Sequence, residues 1–368
     1  MTEESVFNPW EVKGEINYEK LIKEFGITPL KELPDIFNSE VLFRRKIIFA
    51  NRDIGRILDA IKNKKKFVMM TGLMPTGKFH LGHMILAKQM VFYQKLGAKV
   101  YIAVADIEAY NARNQSLEDS RKIAIEEYIT NYIALGLDIK KCDIYFQSNR
   151  NDDSKKSNAY YRLQNLLSRH ATFNEFKAVY GEITPGKMIS SLLQASDMLH
   201  AQLPEFESPC PVLVPVGIDQ DPHLRLARDI SQRIKSEKFI QLSSTYHLFM
   251  PGLKGDKMSS SDSTSFIAMT DDEKTVKNKI NKYAFSGGGA TIEEHKKLGG
   301  NPDVDVSYQY LKVFEEDDKK LKQIHDDYKS GKMLTGELKQ YTINKINEFL
   351  KEHQKKRIEA KKLAEKMF

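Results

Sequence analysis

His80-Leu81-Gly82-His83 places two imidazoles three residues apart. On one turn of helix such a pair faces the same side and can donate hydrogen bonds to one anion. The residues ahead of it, Thr71-Gly72-Leu73-Met74-Pro75-Thr76-Gly77, are turn formers, and Phe67-Val68-Met69-Met70 before them is an apolar run of strand length. A strand, a turn and the first turn of a helix offer unpaired backbone N–H groups and the positive end of the helix dipole, which suits a phosphate. The imidazoles add donors whose value rises as charge develops on that phosphate. Gly82 keeps the helix surface low enough for a nucleotide ring to approach. Paired helical histidines also bind metals, but the turn chemistry ahead of this pair favours the phosphate. A second motif, Gly255-Asp256-Lys257-Met258-Ser259-Ser260-Ser261, puts one lysine on a small, polar segment able to close over a pyrophosphate leaving group. By itself it reads equally well as a linker.

The elements that must carry these residues alternate. Val100-Tyr101-Ile102-Ala103-Val104-Ala105 reads as a buried strand ending at Asp106, and Ser116 with Asp119 opens a helix with Ile125, Tyr128, Ile129, Tyr132 and Ile133 on one face, stopped by Gly136. Ile144-Tyr145-Phe146 and Val212-Leu213-Val214-Pro215-Val216 are further strands, the latter followed by a helix from Pro222 to Ile234. This order implies an α/β fold, a doubly wound parallel sheet of Rossmann-like type, with a helical insertion at about 149–206. Residues 1–66 read as an appended segment, 67–262 as the sheet domain, and 263–368 as an all-α C-terminal domain with a long helix from Leu338 to Phe368. The lysines near its end read as a solvated helix face.

Composition sets the outer bounds. A chain of 368 residues, 41% hydrophobic and 29% charged, has room for two domains and an appendage. No apolar run approaches the roughly 20 residues that cross a bilayer, and Glu3 and Glu4 stand where a secretory leader would be basic, so a cytoplasmic protein with no membrane partner is expected. Cys142 and Cys210 are too few for a thiolate zinc site, and no structural metal is expected. A net charge of +7 is consistent with a polyanionic partner.

The two motifs, in this order, resemble the HIGH and KMSKS signatures of class I aminoacyl-tRNA synthetases. Asn8-Pro9-Trp10, Val216-Gly217-Ile218-Asp219-Gln220-Asp221-Pro222, Asn281 through Gly288 and Gly299 through Val306 extend the resemblance over nearly the whole chain, toward the archaeal and eukaryotic tryptophanyl-tRNA synthetases. That resemblance implies activation of tryptophan by ATP, with Mg²⁺ accompanying the nucleotide, transfer to tRNA(Trp), a helical anticodon-binding domain and a homodimer. It implies catalytic roles for His80, His83 and Lys257, and ATP contacts from Thr76, Gly82, Asp219, Met258 and Ser259. Glu108, Gln194 and Gln220 would surround the α-ammonium, where an anion and two amide oxygens suit a cation. Ser260 stands where the signature has its second lysine, which leaves more of the charge to Lys257.

The choice of amino acid turns on the side-chain pocket. Tyrosyl enzymes share the fold and a string like Gln194-Ala195-Ser196-Asp197, but their phenol reader corresponds to Met70, which can only pack against a ring. Eukaryotic tryptophanyl enzymes use a tyrosine and a glutamine at positions that fall on Met70 and Ala103 here. An indole presents one donor, and Asp197 could accept it. A tyrosyl-tRNA synthetase, an HxGH nucleotidylyltransferase acting without tRNA, and a catalytically idle derivative are the alternatives.

Overall fold

The computed structural model describes residues 7–8, 11–12, 18–256, 258 and 262–368. They fall into two compact units, one made of the described part of Met1–Leu33 with Ile48–Thr76 and Leu86–Leu248, the other of Pro34–Ile47, Gly77–Ile85 and Phe249–Phe368.

The first unit holds a seven-stranded sheet. Its strands are β1 (Thr28–Pro29), β2 (Ile48–Arg52), β3 (Val68–Leu73), β4 (Lys99–Val104), β5 (Cys142–Phe146), β6 (Val212–Gly217) and β7 (Ser243–His247), in the spatial order β1-β2-β7-β6-β3-β4-β5. From β7 to β5 all neighbours are parallel, whereas β2 runs antiparallel to β7 and β1 antiparallel to β2. β3, β4 and β6 are buried along almost their whole length, as strands covered on both faces must be, and their continuous apolar runs follow from that. Between β3 and β6 the winding direction reverses, so the carboxyl ends of these two strands flank the crevice where doubly wound sheets take ligands. The turn to Thr76 leaves one of these ends, and the 3₁₀ turn Ile218–Gln220 leaves the other.

Two strands of this sheet, β1 and β2, come from the segment expected as an appendage. Ile48–Arg52 is an internal strand of the sheet, and Arg52 donates to the buried Asp221 at 3.0 Å. The apolar run there is short and flanked by charge, and its partner β7 lies far along the chain, so no local pattern announces the pairing. The insertion is built as expected from helices: α1 (Ser154–Ser168), α2 (Phe173–Tyr180) and α3 (Pro185–Leu199). Asp153, Thr172 and Thr184 cap them, with a reciprocal Thr172–Glu175 box and Pro185 in the first turn of α3.

No strand occurs among the described residues of the second unit. Its helices include α4 (Glu273–Tyr283), α5 (Ile292–Leu298), α6 (Val306–Phe314), α7 (Asp318–Lys329) and α8 (Thr335–Met367). Tyr308, Leu311, Leu321, Ile324, Tyr328 and Leu338 form a core cluster there. Asp305, fully buried, ties the glycine-rich loops to it: one oxygen caps α6 through Ser307 N at 2.9 Å, and the other accepts Gly287 N at 3.0 Å and Tyr328 Oη at 2.7 Å. Gly299 has φ +76°, and a Cβ there would lie 1.8 Å from Lys329 O, so both conformation and space require glycine. Lys355, Lys361 and Lys362 of α8 pair with Glu352, Glu365 and Glu359 of the same helix, which is the chemistry of a solvated face. Among the described residues no helix is long and apolar enough to cross a membrane.

Candidate functional site

His80 and His83 open the helix Leu81–Lys95. The chain enters it as an extended segment: His80 bridges Ala268, Met269 N donates to Phe79 O at 3.0 Å, and Leu81 N donates to Ile267 O at 3.1 Å. The two rings stack, with centroids 3.7 Å apart. Gly82 N points at Nδ1 of His80 at 3.1 Å, and His80 N points at Nδ1 of His83 at 3.2 Å. An Nδ1 that receives a backbone N–H must be the acceptor, so the proton of each neutral ring sits on Nε2. Burial pushes the His80 pKa down to about 4, so this ring works near neutral pH as an uncharged N–H donor. Gly82 is confined from two sides: a Cβ there would lie 3.0 Å from the His80 ring and 3.1 Å from Met258 Sδ. The glycine thus permits close packing of the second motif's buried methionine as well as the fold-back of His80. Lys257 and Ser259 lie outside the described residues.

In the first unit, Thr76 ends the turn after β3, its carbonyl accepting from Tyr128 Oη at 2.9 Å. Asp219 is buried in the 3₁₀ turn after β6, where Gln220 Nε2 donates to it at 3.2 Å. The N-cap of the following helix is Gln220, without a side-chain capping bond, so Asp219 does not serve as a cap.

Glu108 lies in the first turn of the helix Asp106–Arg113, which leaves the end of β4. It accepts Gln194 Nε2 of α3 at 2.5 Å. Burial raises its pKa to about 7; the Gln194 hydrogen bond opposes the rise and the Asp197 charge adds to it. Gln194 Oε1 is buried without a hydrogen-bond partner. A buried anion beside an unsatisfied acceptor is an arrangement that a protonated amine completes.

One turn further along α3, Asp197 is 4% exposed. Tyr145 Oη and Tyr160 Oη both donate to its Oδ1, at 2.7 and 2.6 Å, and Gln147 Nε2 donates to Oδ2 at 2.8 Å. Burial raises its pKa to about 6 against these three hydrogen bonds. The Gln147 amide is oriented from its other end, Oε1 accepting Glu108 N at 3.4 Å, so Asp197, Gln147, Glu108 and Gln194 form one connected polar set. Below it Arg150, 1% exposed, makes a bidentate pair with Asp143 at 3.0 and 2.9 Å and stacks 3.9 Å over the Tyr145 ring. Its Nε donates to His200 Nε2 at 2.9 Å, and His200 Nδ1 donates to the carbonyls of Ser196 and Asp197. Met70 is 2% exposed on β3.

Tyr145, Gln147 and Tyr160 are absent from the sequence-based set. Tyr145 and Gln147 are two apart at the end of a strand and so share a face, which is the one signal the sequence contains. Tyr145 sits in register with Ala103.

A model of the family described as tRNA synthetases class I (W and Y) matches residues 62–351. The chain belongs to this family. It is 46% identical over 366 residues to the tryptophan–tRNA ligase of Methanocaldococcus jannaschii, covering 98% of this chain and 97% of that one. To the tryptophan–tRNA ligase of Aeropyrum pernix it is 43% identical, with coverage of 98% and 97%. Among solved structures, the tryptophanyl-tRNA synthetase of Aeropyrum pernix superposes with a TM-score of 0.89, covering 95% of each chain. That of Giardia lamblia, 31% identical, does so at 0.82 over 92% of each.

Proposed function

We propose that the chain is a tryptophan–tRNA ligase: it activates tryptophan with ATP, releasing pyrophosphate, and transfers the activated residue to tRNA(Trp). The observation that carries this reading is the pair His80–His83 held as Nε2–H donors at a helix start, in a chain whose relatives are tryptophan–tRNA ligases over their whole length. In the first step a carboxylate oxygen of tryptophan attacks the α-phosphorus of ATP, a P–O bond forms, and the bond to pyrophosphate breaks. His80 and His83 donate to phosphate oxygens as negative charge gathers there, and Lys257 takes the charge of the departing pyrophosphate. Removing one such preorganised donor typically costs about 2.7–4 kcal/mol of barrier. Thr76, Gly82, Met258 and Ser259 border the nucleotide, and Asp219 accepts from the ribose hydroxyls. Mg²⁺ enters on the triphosphate as part of the substrate; no cluster of metal-ligating side chains occurs among the described residues.

At the amino-acid end, ionised Glu108 with the free Oε1 of Gln194, and Gln220, receive the α-ammonium. Asp197 receives the indole N–H, and Met70 packs against the ring. In the second step the adenylate carbonyl is attacked by the tRNA 3′-terminal hydroxyl and AMP leaves. Residues 263–368 act as the anticodon-binding domain, and the working form is a cytoplasmic homodimer. ATP–pyrophosphate exchange with tryptophan and with tyrosine separately, followed by charging of purified tRNA, tests the assignment. Exchange driven by tyrosine alone would overturn it in favour of the tyrosyl enzyme.

A further inference from the structure

We infer that Tyr128, carried on a single π turn, is a positioning residue for ATP: it orients the Thr76–Gly77 peptide so that the N–H of that peptide faces the phosphates. The inference rests on the proposed reading of Thr76 as a border of the nucleotide. The turn it acts on is short. Thr76 N donates to Met74 O at 2.8 Å, closing a three-residue turn whose central Pro75 has its φ fixed by the ring. The next two carbonyls are each held by a side chain. Pro75 O accepts Gln115 Nε2 at 2.8 Å, and Thr76 O accepts Tyr128 Oη at 2.9 Å. The same Gln115 nitrogen donates to Ser120 Oγ at 2.9 Å, which fixes the amide. No peptide among the described residues is cis, so a carbonyl drawn toward Tyr128 turns the N–H of Gly77 the opposite way. Gly77 has φ +66°, a conformation that glycine takes without strain.

The helix that supplies Tyr128 is locally widened to carry it. It is α-helical at Leu117–Ile123 and at Thr130–Ala134, with a π turn at Ala124–Ile129 between them. In an α-helix Thr130 N would donate to Glu126 O; it reaches Ile125 O instead. Two fully buried side chains hold the wide turn open, Thr130 Oγ1 donating to Ile125 O at 2.7 Å and Asn131 Nδ2 donating to Glu127 O. Single π turns are rare and occur frequently at functional sites. Here the residue inside it is the one that reaches Thr76, and it is itself 2% exposed. Burial pushes the Tyr128 phenol above its ordinary range, with the Glu127 charge adding to the rise and hydrogen bonds to Thr76 opposing it. The hydroxyl therefore keeps its proton and stays a donor.

The test is Tyr128→Phe, which keeps the ring and removes only the hydroxyl, in tryptophan-dependent ATP–pyrophosphate exchange. With the peptide free to rotate, kcat/KM for ATP should fall about tenfold, the worth of one hydrogen bond to a charged group. Two further readouts separate positioning from general loosening. Calorimetric affinity for tryptophan, and inhibition by adenosine, which has the base and ribose but no phosphate, should both stay within about twofold of wild type. A merely structural role would lower the Tm and weaken all three alike. Thr130→Val takes one bond from the wide turn and keeps the side chain's shape; it should lower kcat/KM for ATP about threefold, and the double variant should be no worse than Tyr128→Phe. Unchanged ATP kinetics in Tyr128→Phe, or equal losses for ATP and adenosine, would overturn the inference. So would wild-type behaviour of Thr130→Val, or losses that add in the double variant. A wild-type protein with no tryptophan-dependent exchange would instead overturn the functional assignment.

Discussion

Replacing Glu108 by glutamine should remove the pH dependence of tryptophan use near neutrality. Glu108 is buried, bonded to Gln194 and close to the negative charge of Asp197, and its pKa stands at about 7 in the ligand-free protein. On the proposed assignment the ligand's ammonium requires the carboxylate. With that pKa, roughly nine-tenths of the molecules are competent at pH 8 and one-tenth at pH 6, so kcat/KM for tryptophan should fall about tenfold between them. Asp197, at about 6, halves it roughly once more at pH 6. At pH 8 the Glu108→Gln protein loses a charge-assisted hydrogen bond of about 1.5–3 kcal/mol, a drop of about 10- to 150-fold in kcat/KM. Its profile should be flat from pH 8.5 down to about 6.5, with only the Asp197 limb below. The assay is tryptophan-dependent ATP–pyrophosphate exchange at saturating ATP, with the KM for ATP as the control. A wild-type profile that is flat through pH 7, or a limb near pH 7 that survives in Glu108→Gln, would refute the assignment of Glu108 to the ammonium.

The same carboxyl couples pH to stability. Its folded-state pKa lies above its unfolded value, so the stability it contributes is fully present below about pH 4.5 and is lost as pH rises through about 7. The Tm of Glu108→Gln relative to wild type, without ligand, should accordingly move in the variant's favour between pH 5 and pH 8. Gly82→Ala should push a methyl into the His80 ring and Met258 sulfur, at about 1–3 kcal/mol of overpacking; a kcat unchanged in exchange would show that the close packing is idle. Asp305→Ala removes a helix cap, strands Gly287 N and takes from Tyr328 Oη its shortest hydrogen bond, so thermal unfolding should show a loss on the order of 3 kcal/mol. Lys257→Ala should lower the exchange rate far more than tryptophan binding, and equal losses in rate and in calorimetric affinity would make the lysine a ground-state ligand.

The parallel core was legible because its strands are buried on both faces and so appear as unbroken apolar runs, with turn residues after β3 and Pro222 in the first turn of the helix after β6. The antiparallel edge was not: β2 is five residues long, and its pairing with β7 is a long-range fact that local pattern does not hold. The histidine pair could be placed at a helix start from spacing and turn chemistry alone. Its tautomer could not, because that depends on which backbone N–H groups meet Nδ1. Asp197 stood out through Gln194-Ala195-Ser196-Asp197, yet its three donors come from β5, the residue just beyond it, and α1, which only the fold brings together. A tyrosine in a strand and another in a helix look like ordinary core residues until one carboxylate is found to hold both protons.

The backbone bonds to His80 and His83 also bear on what else could occupy that pair. Two imidazoles three residues apart on a helix are a common chelate for zinc, nickel or copper ions. Here a metal approaching Nε2 would have to drive each proton to an Nδ1 already facing an amide N–H, leaving two part-buried donors opposed to two others. The fold therefore opposes transition-metal binding at the start of this helix. Purification on immobilised nickel should not retain it through these rings.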